Sequence, residues 1–276
     1  MPNTKNVLIS GASTGIGKAC ALYLAKQGFA VVAGVRKLED GRRIEAEAGG
    51  NIRSIQLDIA DSDSIAKARD QVGKLYGLVN NAGIGIGGPV EHVTVDDWRK
   101  QFEVNVVGHI ALTQAMLPAL REMRGRIVFI GSIAGRVAMP MLGPYSASKH
   151  AIAAVALSLR MEVQGQGIRV SLLEPGAIQS DIWKKADEFT DTIGPSHRAR
   201  EHYSRHIDAM AQQTKEAARN AIPAEEVARM VGKCLSDPNP PFRVLIGRDA
   251  RTAAFLKWFL PERVFYRVLA RSLKLP

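Results

Sequence analysis

Only two cysteines, Cys20 and Cys234, occur in the 276 residues, and their spacing resembles no redox or metal motif. A disulfide framework is excluded, and both thiols are expected to be reduced and inert, as in a cytoplasmic protein. The six histidines fall in no ligand pattern with cysteines or carboxylates. His202 and His206 share a helix face but lack a third ligand, so they are read as surface residues and no metal site is expected. No run of about 18 or more apolar residues occurs, which excludes a spanning helix. The start, MPNTKNVLIS, enters a strand pattern almost at once, without the charged-then-apolar order of a secretory signal. The expected location is therefore the cytoplasm, with peripheral attachment to a membrane as the alternative. Internal repeats and low-complexity stretches are missing too. The net charge of +10 comes without a compact basic stripe interleaved with aromatics, so no nucleic-acid partner is expected. A large share of that charge lies in residues 251–276.

What the chain does have is an ordinary soluble composition, 46% hydrophobic and 23% charged, arranged as alternating short apolar runs and helix-length amphipathic segments. Strands are expected at Val7–Ser10, Ala30–Val35, Ile52–Leu57, Leu78–Asn80, Arg126–Ile130, Ile168–Leu173 and Arg243–Ile246. Helices are expected at Ile16–Gln27, Leu38–Ala48, Ser62–Leu75, Trp98–Met123, Tyr145–Val163 and Pro223–Leu235. Strands that are nearly continuous apolar runs imply a parallel sheet covered on both faces. Right-handed crossovers then make the expected fold an α/β, Rossmann-type doubly wound sheet of about seven strands. Residues 1–250 form its single catalytic domain, including a substrate-lid insertion at 181–222. Residues 251–276 form a basic, aromatic, helical C-terminal extension.

The first strand runs into Ser10-Gly11-Ala12-Ser13-Thr14-Gly15-Ile16-Gly17, which opens a helix. Glycines at such a joint permit a tight turn and let the backbone approach a pyrophosphate. A dinucleotide is thus expected at Gly11, Ser13, Thr14, Gly15, Ile16 and Gly17. The second strand ends in Val35-Arg36-Lys37, where an acidic residue would bond the free ribose hydroxyl of NAD. Arg36 and Lys37 instead suit a 2′-phosphate, so NADP(H) is the expected cofactor and NAD(H) the alternative.

Tyr145-Ser146-Ala147-Ser148-Lys149 puts a phenol and an ammonium on one helix face. A phenol titrating near ~10 is a weak base at neutral pH, and a nearby cation is expected to lower that value. The tyrosine can then trade a proton with an alcohol or carbonyl oxygen. Ser132 follows the strand Arg126–Ile130, where it can bond the same oxygen. Asn80-Asn81-Ala82-Gly83 closes the fourth strand, and Asn105 lies in the helix beyond it.

In order and approximate spacing, the G-x-x-x-G-x-G loop, N-N-A-G, Asn105, Ser132, Y-x-x-x-K and Pro175-Gly176 together resemble the short-chain dehydrogenases/reductases. The likeness covers residues 5 to about 180. It implies that Asn105, Ser132, Tyr145 and Lys149 form a catalytic tetrad, with Asn105 holding a water in a proton relay and Lys149 also binding nicotinamide-ribose hydroxyls. It implies that Asp58 contacts the adenine ring, and that Asn81, with Ala82 and Gly83, supports the central strand near the cofactor. Pro175, Gly176, Ile178 and Ser180 then grip the nicotinamide. A homodimer or homotetramer is implied as well, paired through the Y-x-x-x-K helix and the one before it.

The stretch Asn81–Trp98 and the second strand's end at Arg36 are similar to the hydroxysteroid and retinol dehydrogenase branch. The implied activity is hydride exchange between NADP(H) and a bulky hydrophobic secondary alcohol or ketone, steroid-, retinoid- or lipid-like. A 3-oxoacyl-thioester reductase and a noncatalytic NADP(H)-binding sensor are the alternatives. In the insertion, Trp183, Phe189, Tyr203 and Met210 are expected to line an apolar pocket. In the extension, Val264, Phe265, Val268 and Leu269 are expected on one helix face, with Arg263, Arg267 and Arg271 on another. That helix either packs on the protein or contacts a membrane surface.

Overall fold

A computed structural model of the chain describes residues 5–179, 197–273 and 275. Seven parallel strands form one sheet in the order β3-β2-β1-β4-β5-β6-β7. They are β1 (Asn6–Ser10), β2 (Ala30–Val35), β3 (Ile52–Gln56), β4 (Gly77–Asn80), β5 (Arg126–Ile130), β6 (Arg169–Pro175) and β7 (Arg243–Ile246). Successive side chains of a strand point to opposite faces, so each apolar run feeds two cores. From β1, Val7 and Ile9 enter one core and Leu8 the other; from β5, Val128 and Ile130 part from Ile127 and Phe129 in the same way.

Helices α1 (Gly15–Lys26) and α2 (Leu38–Ala48) cover the first face. They are joined there by the helix Ala224–Ser236 (α8), whose Val227, Val231 and Leu235 pack near Leu24. The second face carries α3 (Ser62–Val72), α5 (Gly108–Glu122) and α6 (Gly143–Val163), with Leu112, Met116, Leu120 and Ile152 fully buried against the sheet.

The sequence-derived strands and helices hold, with shifted ends. The expected long helix Trp98–Met123 is three pieces: α4 (Val95–Phe102), a π-helical turn Glu103–Val107, and α5. Apolar periodicity runs through the break because only one residue is added to a turn, a change too small to register as a new pattern. The insertion contains the helix α7 (His197–Asn220); residues 180–196, with Ser180, Trp183 and Phe189, lie outside the described residues. Beyond β7, the extension holds two helices where one was expected, α9 (Arg248–Phe259) and α10 (Glu262–Ser272).

Strand order reverses between β1 and β4, because the chain leaves β3 at one edge and re-enters beside β1 to build outward. Ligands of open α/β sheets bind beyond the carboxyl ends of the strands at such a switch point. The ends of β1, β4, β5 and β6 carry Ser10, Asn80, Ile130 and Pro175, so the motif residues next to them gather at that crevice.

Phe129 is among the largest fully buried side chains. Phe129→Ala is expected to lower the free energy of unfolding by about 3–5 kcal/mol, read as a drop in urea midpoint at unchanged slope.

Candidate active site

The crevice is built on the joint between β1 and β4. Asn81 Nδ2 donates to the carbonyls of Ser10 and Gly11, both at 3.0 Å. Ser10 Oγ accepts from the backbone N–H of Asn81 at 3.0 Å and of Ala82 at 3.1 Å. The two chain segments are thereby drawn so close that a Cβ on Gly11, at φ +65°, would lie 2.8 Å from Ala82 Cα. A Cβ on Gly17 would collide with the Gly11 carbonyl and the Asn81 amide. Only glycine fits either position.

These glycines let helix α1 begin at the sheet's edge. Its N-cap, Thr14, makes no side-chain cap, and the first turn carries no acidic residue. The N–H groups of that turn are thus left without a side-chain acceptor, in a field favourable to an anion. Beyond β2, a cavity of about 460 Å³ is lined by Arg36, Lys37, Leu38, Glu39, Arg42 and Gln56. Three cations outnumber the single carboxylate there. Arg42 of α2, which the sequence reading missed, lines the cavity with the Arg36–Lys37 pair. The residues present fit a dinucleotide with an additional phosphate on its ribose. Asp58 lies just past β3, where its Oδ1 accepts from the Ala60 N–H at 3.0 Å.

Ser132, Tyr145 and Lys149 meet over the end of β5. Ser132 Oγ accepts from the Ala134 N–H at 3.1 Å, which orients the hydroxyl beside that of Tyr145. Lys149 is buried; its Nζ donates to the Ile130 carbonyl at 2.9 Å and lies 5.7 Å from the Tyr145 ring centroid. Burial lowers Lys149 to about 8. Burial raises the Tyr145 phenol above its ordinary value, and the Ser132 hydroxyl draws it part of the way back. This corrects the expectation that Lys149 depresses the phenol: desolvation is the larger influence, and the moderating group is Ser132.

Asn105 is fully buried in the π turn. Its Oδ1 accepts from the Ile84 N–H at 2.9 Å, and its Nδ2 donates to the Ile84 carbonyl at 2.9 Å and to Ser148 Oγ at 3.2 Å. The Asn105 amide therefore braces the segment after β4 against α6, and its hydrogen-bonding groups are spent on protein partners. Gln101, one turn earlier and also fully buried, does likewise, accepting from the Ile86 N–H at 2.6 Å and donating to the Ile84 carbonyl at 2.9 Å. Gln101 was legible in principle, since it lies four residues before Asn105 on an otherwise polar helix.

His109 was not foreseen at all. Its Nε2 lies 2.7 Å from the Ala82 carbonyl and its Nδ1 3.3 Å from the Asn80 side-chain amide. Burial first, then the charge of Lys149, push it down to about 3, so the ring is neutral. A neutral ring that donates through Nε2 needs a donor at Nδ1. The Asn80 amide meets that need with its NH2 turned to the ring and its oxygen accepting from Thr113, the opposite of the orientation that pairs Nδ2 with Thr113 Oγ1 at 2.9 Å.

On the far side, Pro175-Gly176-Ala177 is held by Asp249 of α9, whose Oδ2 accepts from the Ala177 N–H at 2.7 Å. Ile178 is buried and bridges to Ile222. Glu174, also buried, joins two segments: Arg136, just after Ser132, pairs with its Oε2 at 2.6 Å, and Arg243 of β7 with its Oε1 at 2.5 Å. The Ser132 loop and the Pro175 turn are thus clamped through one carboxylate. Tyr203 does not simply line an apolar pocket as expected. Its hydroxyl donates to Glu91 at 2.7 Å and its ring meets His92 and His206 edge-on, fastening α7 to the loop after Gly88. His206 is accordingly half-buried rather than a surface residue. Among the described residues no group of His, Cys, Asp or Glu is placed to hold a metal.

His109 yields a pH prediction. Its folded value near 3 lies below the ~6.5 of an unfolded histidine. The stability it confers is thus complete above about 6.5 and drains away as pH falls toward 3, where the unfolded chain binds a proton that the folded one refuses. Urea unfolding at pH 7 and pH 5 should show wild type losing about 2 kcal/mol more than His109→Gln over that interval.

Comparison with known proteins agrees with this geometry. Residues 5–191 match the family described as short chain dehydrogenase. The chain is 32% identical over 283 residues to an NADPH-dependent 3-dehydrocapnine reductase from Ornithobacterium rhinotracheale, covering 97% of this chain and 96% of that protein. It is 31% identical over 275 residues to a 3-ketodihydrosphingosine reductase from Bacteroides thetaiotaomicron, covering 95% and 98%. Among solved structures, a short-chain dehydrogenase from Streptomyces avermitilis superposes with a TM-score of 0.77 at 26% identity, covering 98% of each chain. With the glycine cradle, the Ser132–Tyr145–Lys149 cluster and two-thirds of its length matching, the chain belongs to the short-chain dehydrogenase/reductase family of oxidoreductases.

Proposed function

We propose that the protein is an NADP(H)-dependent reductase of a hydrophobic ketone, able to run in reverse as a secondary-alcohol dehydrogenase. The observation that carries this reading is the meeting of Ser132 and Tyr145 hydroxyls beside buried Lys149, above a glycine cradle with a basic cavity at its far end. The cofactor, when bound, supplies or accepts the hydride. The chain's own residues manage the proton. Ser132 Oγ and Tyr145 Oη bond the substrate oxygen together, fixing its position and polarising the C–O bond. Tyr145 stays protonated at neutral pH because its value is raised, so it is primed to give its proton to a developing alkoxide. That favours carbonyl reduction. Lys149, largely protonated below about 8 and anchored on the Ile130 carbonyl, binds the ribose hydroxyls beside Tyr145. Gln101 and Asn105 hold the Ile84–Ile86 wall of the site in register.

The relatives named as reductases of 3-dehydrocapnine and 3-ketodihydrosphingosine support the reductive direction and a lipid-like ketone. Asp58, Asn81, Ala82, Gly83, Pro175, Gly176, Ile178 and Ser180 complete the proposed cofactor contacts. Subunits pair through α5 and α6, where Leu157 and Met161 of α6 are apolar and exposed. The enzyme works in the cytoplasm, with both thiols reduced and raised by burial.

Two measurements test this. Tight NADPH binding should weaken toward the NADH value in Arg36→Ala, by about 10–100-fold for loss of one charge-assisted phosphate contact; unchanged selectivity would overturn the phosphate assignment. With NADPH and a hydrophobic ketone, Tyr145→Phe should lower kcat by about 10²–10⁴-fold while NADPH affinity stays near wild type.

A further inference from the structure

We infer that the outer surface of the α9–α10 pair docks on an anionic lipid bilayer. Three aromatic side chains at the end of α9 stand out from the protein: Trp258 is 81% exposed, Phe259 65% and Phe255 57%. They form one cluster, Phe255 stacking on Phe259 at 5.8 Å and meeting Trp258 at 6.3 Å. Val264 and Val268 of α10 are exposed beside them in sequence. So much apolar surface left in water is the mark of an interaction site.

The apolar residues of α10 divide between two directions, which corrects the single face expected from sequence. Phe265 and Leu273 turn inward. Tyr266, Leu269 and Leu273 close, with Met139, Pro140 and His206, a cavity of about 370 Å³. Packing on the protein therefore uses one set of residues and leaves the other set free. The two roles are not alternatives.

Charge decides what covers the free set. Residues 248–276 carry seven basic side chains and two acidic ones, half of the chain's net +10. Both acids are occupied: Asp249 accepts from the Ala177 N–H, and Glu262 pairs with Lys257 at 2.8 Å. Arg263, Arg267 and Arg271 are exposed at fourfold spacing and have no ion-pair partner among the described residues. The outward charge not matched by an ion pair is thus positive. A second copy meeting this face about a two-fold axis would set these arginines against their own counterparts, an uncompensated repulsion. An anionic membrane surface matches both the charge and the aromatics, since Trp and Phe seat at the headgroup boundary while arginine reaches the phosphates. No helix among the described residues is long and apolar enough to cross a membrane, so the contact is peripheral.

The face that docks and the face that closes the Met139–His206 cavity belong to the same two-turn corner. The attached protein would therefore hold the Met139–Pro140 loop, which leads into the Tyr145 helix, close to the bilayer. The docking itself does not rest on the catalytic reading, because binding to vesicles needs no turnover.

The experiment is flotation of the full-length protein with vesicles of phosphatidylcholine alone and of equimolar phosphatidylcholine and phosphatidylglycerol, with sedimentation equilibrium in parallel. Wild type should float with the anionic vesicles only and be released by high salt. Arg263→Gln/Arg267→Gln/Arg271→Gln should lower the partition coefficient roughly a hundredfold. Trp258→Ser/Phe259→Ser should abolish flotation while leaving particle mass and NADPH affinity unchanged. Failure of wild type to float with anionic vesicles overturns the inference, as does flotation untouched by either variant. Loss of subunit association in the Trp258→Ser/Phe259→Ser protein, without vesicle binding by wild type, would assign the face to a second copy instead.

Discussion

Four hydrogen bonds join the end of β1 to the end of β4, two from the Asn81 amide and two to the Ser10 hydroxyl. They act where the strand order reverses, so that the segments following β1 and β4 leave toward opposite faces of the sheet. They hold the loops after β1 and β4 so close that a Cβ on Gly11 would strike Ala82. From Ala82 the connection continues through His109 to α5, and from Ile84 through Gln101 and Asn105 to Ser148 of α6. The helix that carries Tyr145 and Lys149 is thus positioned from the same joint that shapes the cofactor cradle.

Burial sets the chemistry of this interior. It acts in opposite directions on its acids and bases, raising the Tyr145 phenol and lowering Lys149 and His109. Each shift opposes the charged form, the expected result where water is excluded. His109 has yielded completely and Lys149 has not. One ammonium is kept in the pocket while its neighbour is held neutral, so the pocket avoids two like charges competing for the same few acceptors. The Ile130 carbonyl is the acceptor that Lys149 has in this arrangement.

The parallel sheet, the glycine cradle and the meeting of Tyr145 with Lys149 were legible because each has a local signature. Apolar runs of strand length mark β1 to β7, a glycine spacing marks the cradle, and Y-x-x-x-K places two side chains on one face. What stayed hidden depends on partners remote in sequence. Glu174 reads as an interruption in an apolar strand until Arg136 and Arg243 arrive from 38 and 69 residues away. Asp249 reads as an ordinary first-turn acid of α9 and turns out to hold the turn after β6. His109 lies in an apolar helix and has no motif around it. The division of α10 between inward and outward residues was also beyond periodicity, which gives the spacing of a face but not which of two neighbours takes it.

The π turn at Glu103–Val107 separates α4 from α5 by one residue more than an α-helix would need. Each residue of an α-helix advances the side chains by about 100° around its axis. Deleting any one residue of this turn would restore regular geometry and swing α4 by that angle relative to α5. Gln101 would leave Ile84 and Ile86, and Trp98 and Phe102, stacked on the same helix, would turn away with it. In this segment the residue count is itself a phase setting. Exposed side chains of the turn can vary over evolutionary time, but descendants of the chain can neither lose the Asn105 brace nor shorten the turn and keep the wall of the site.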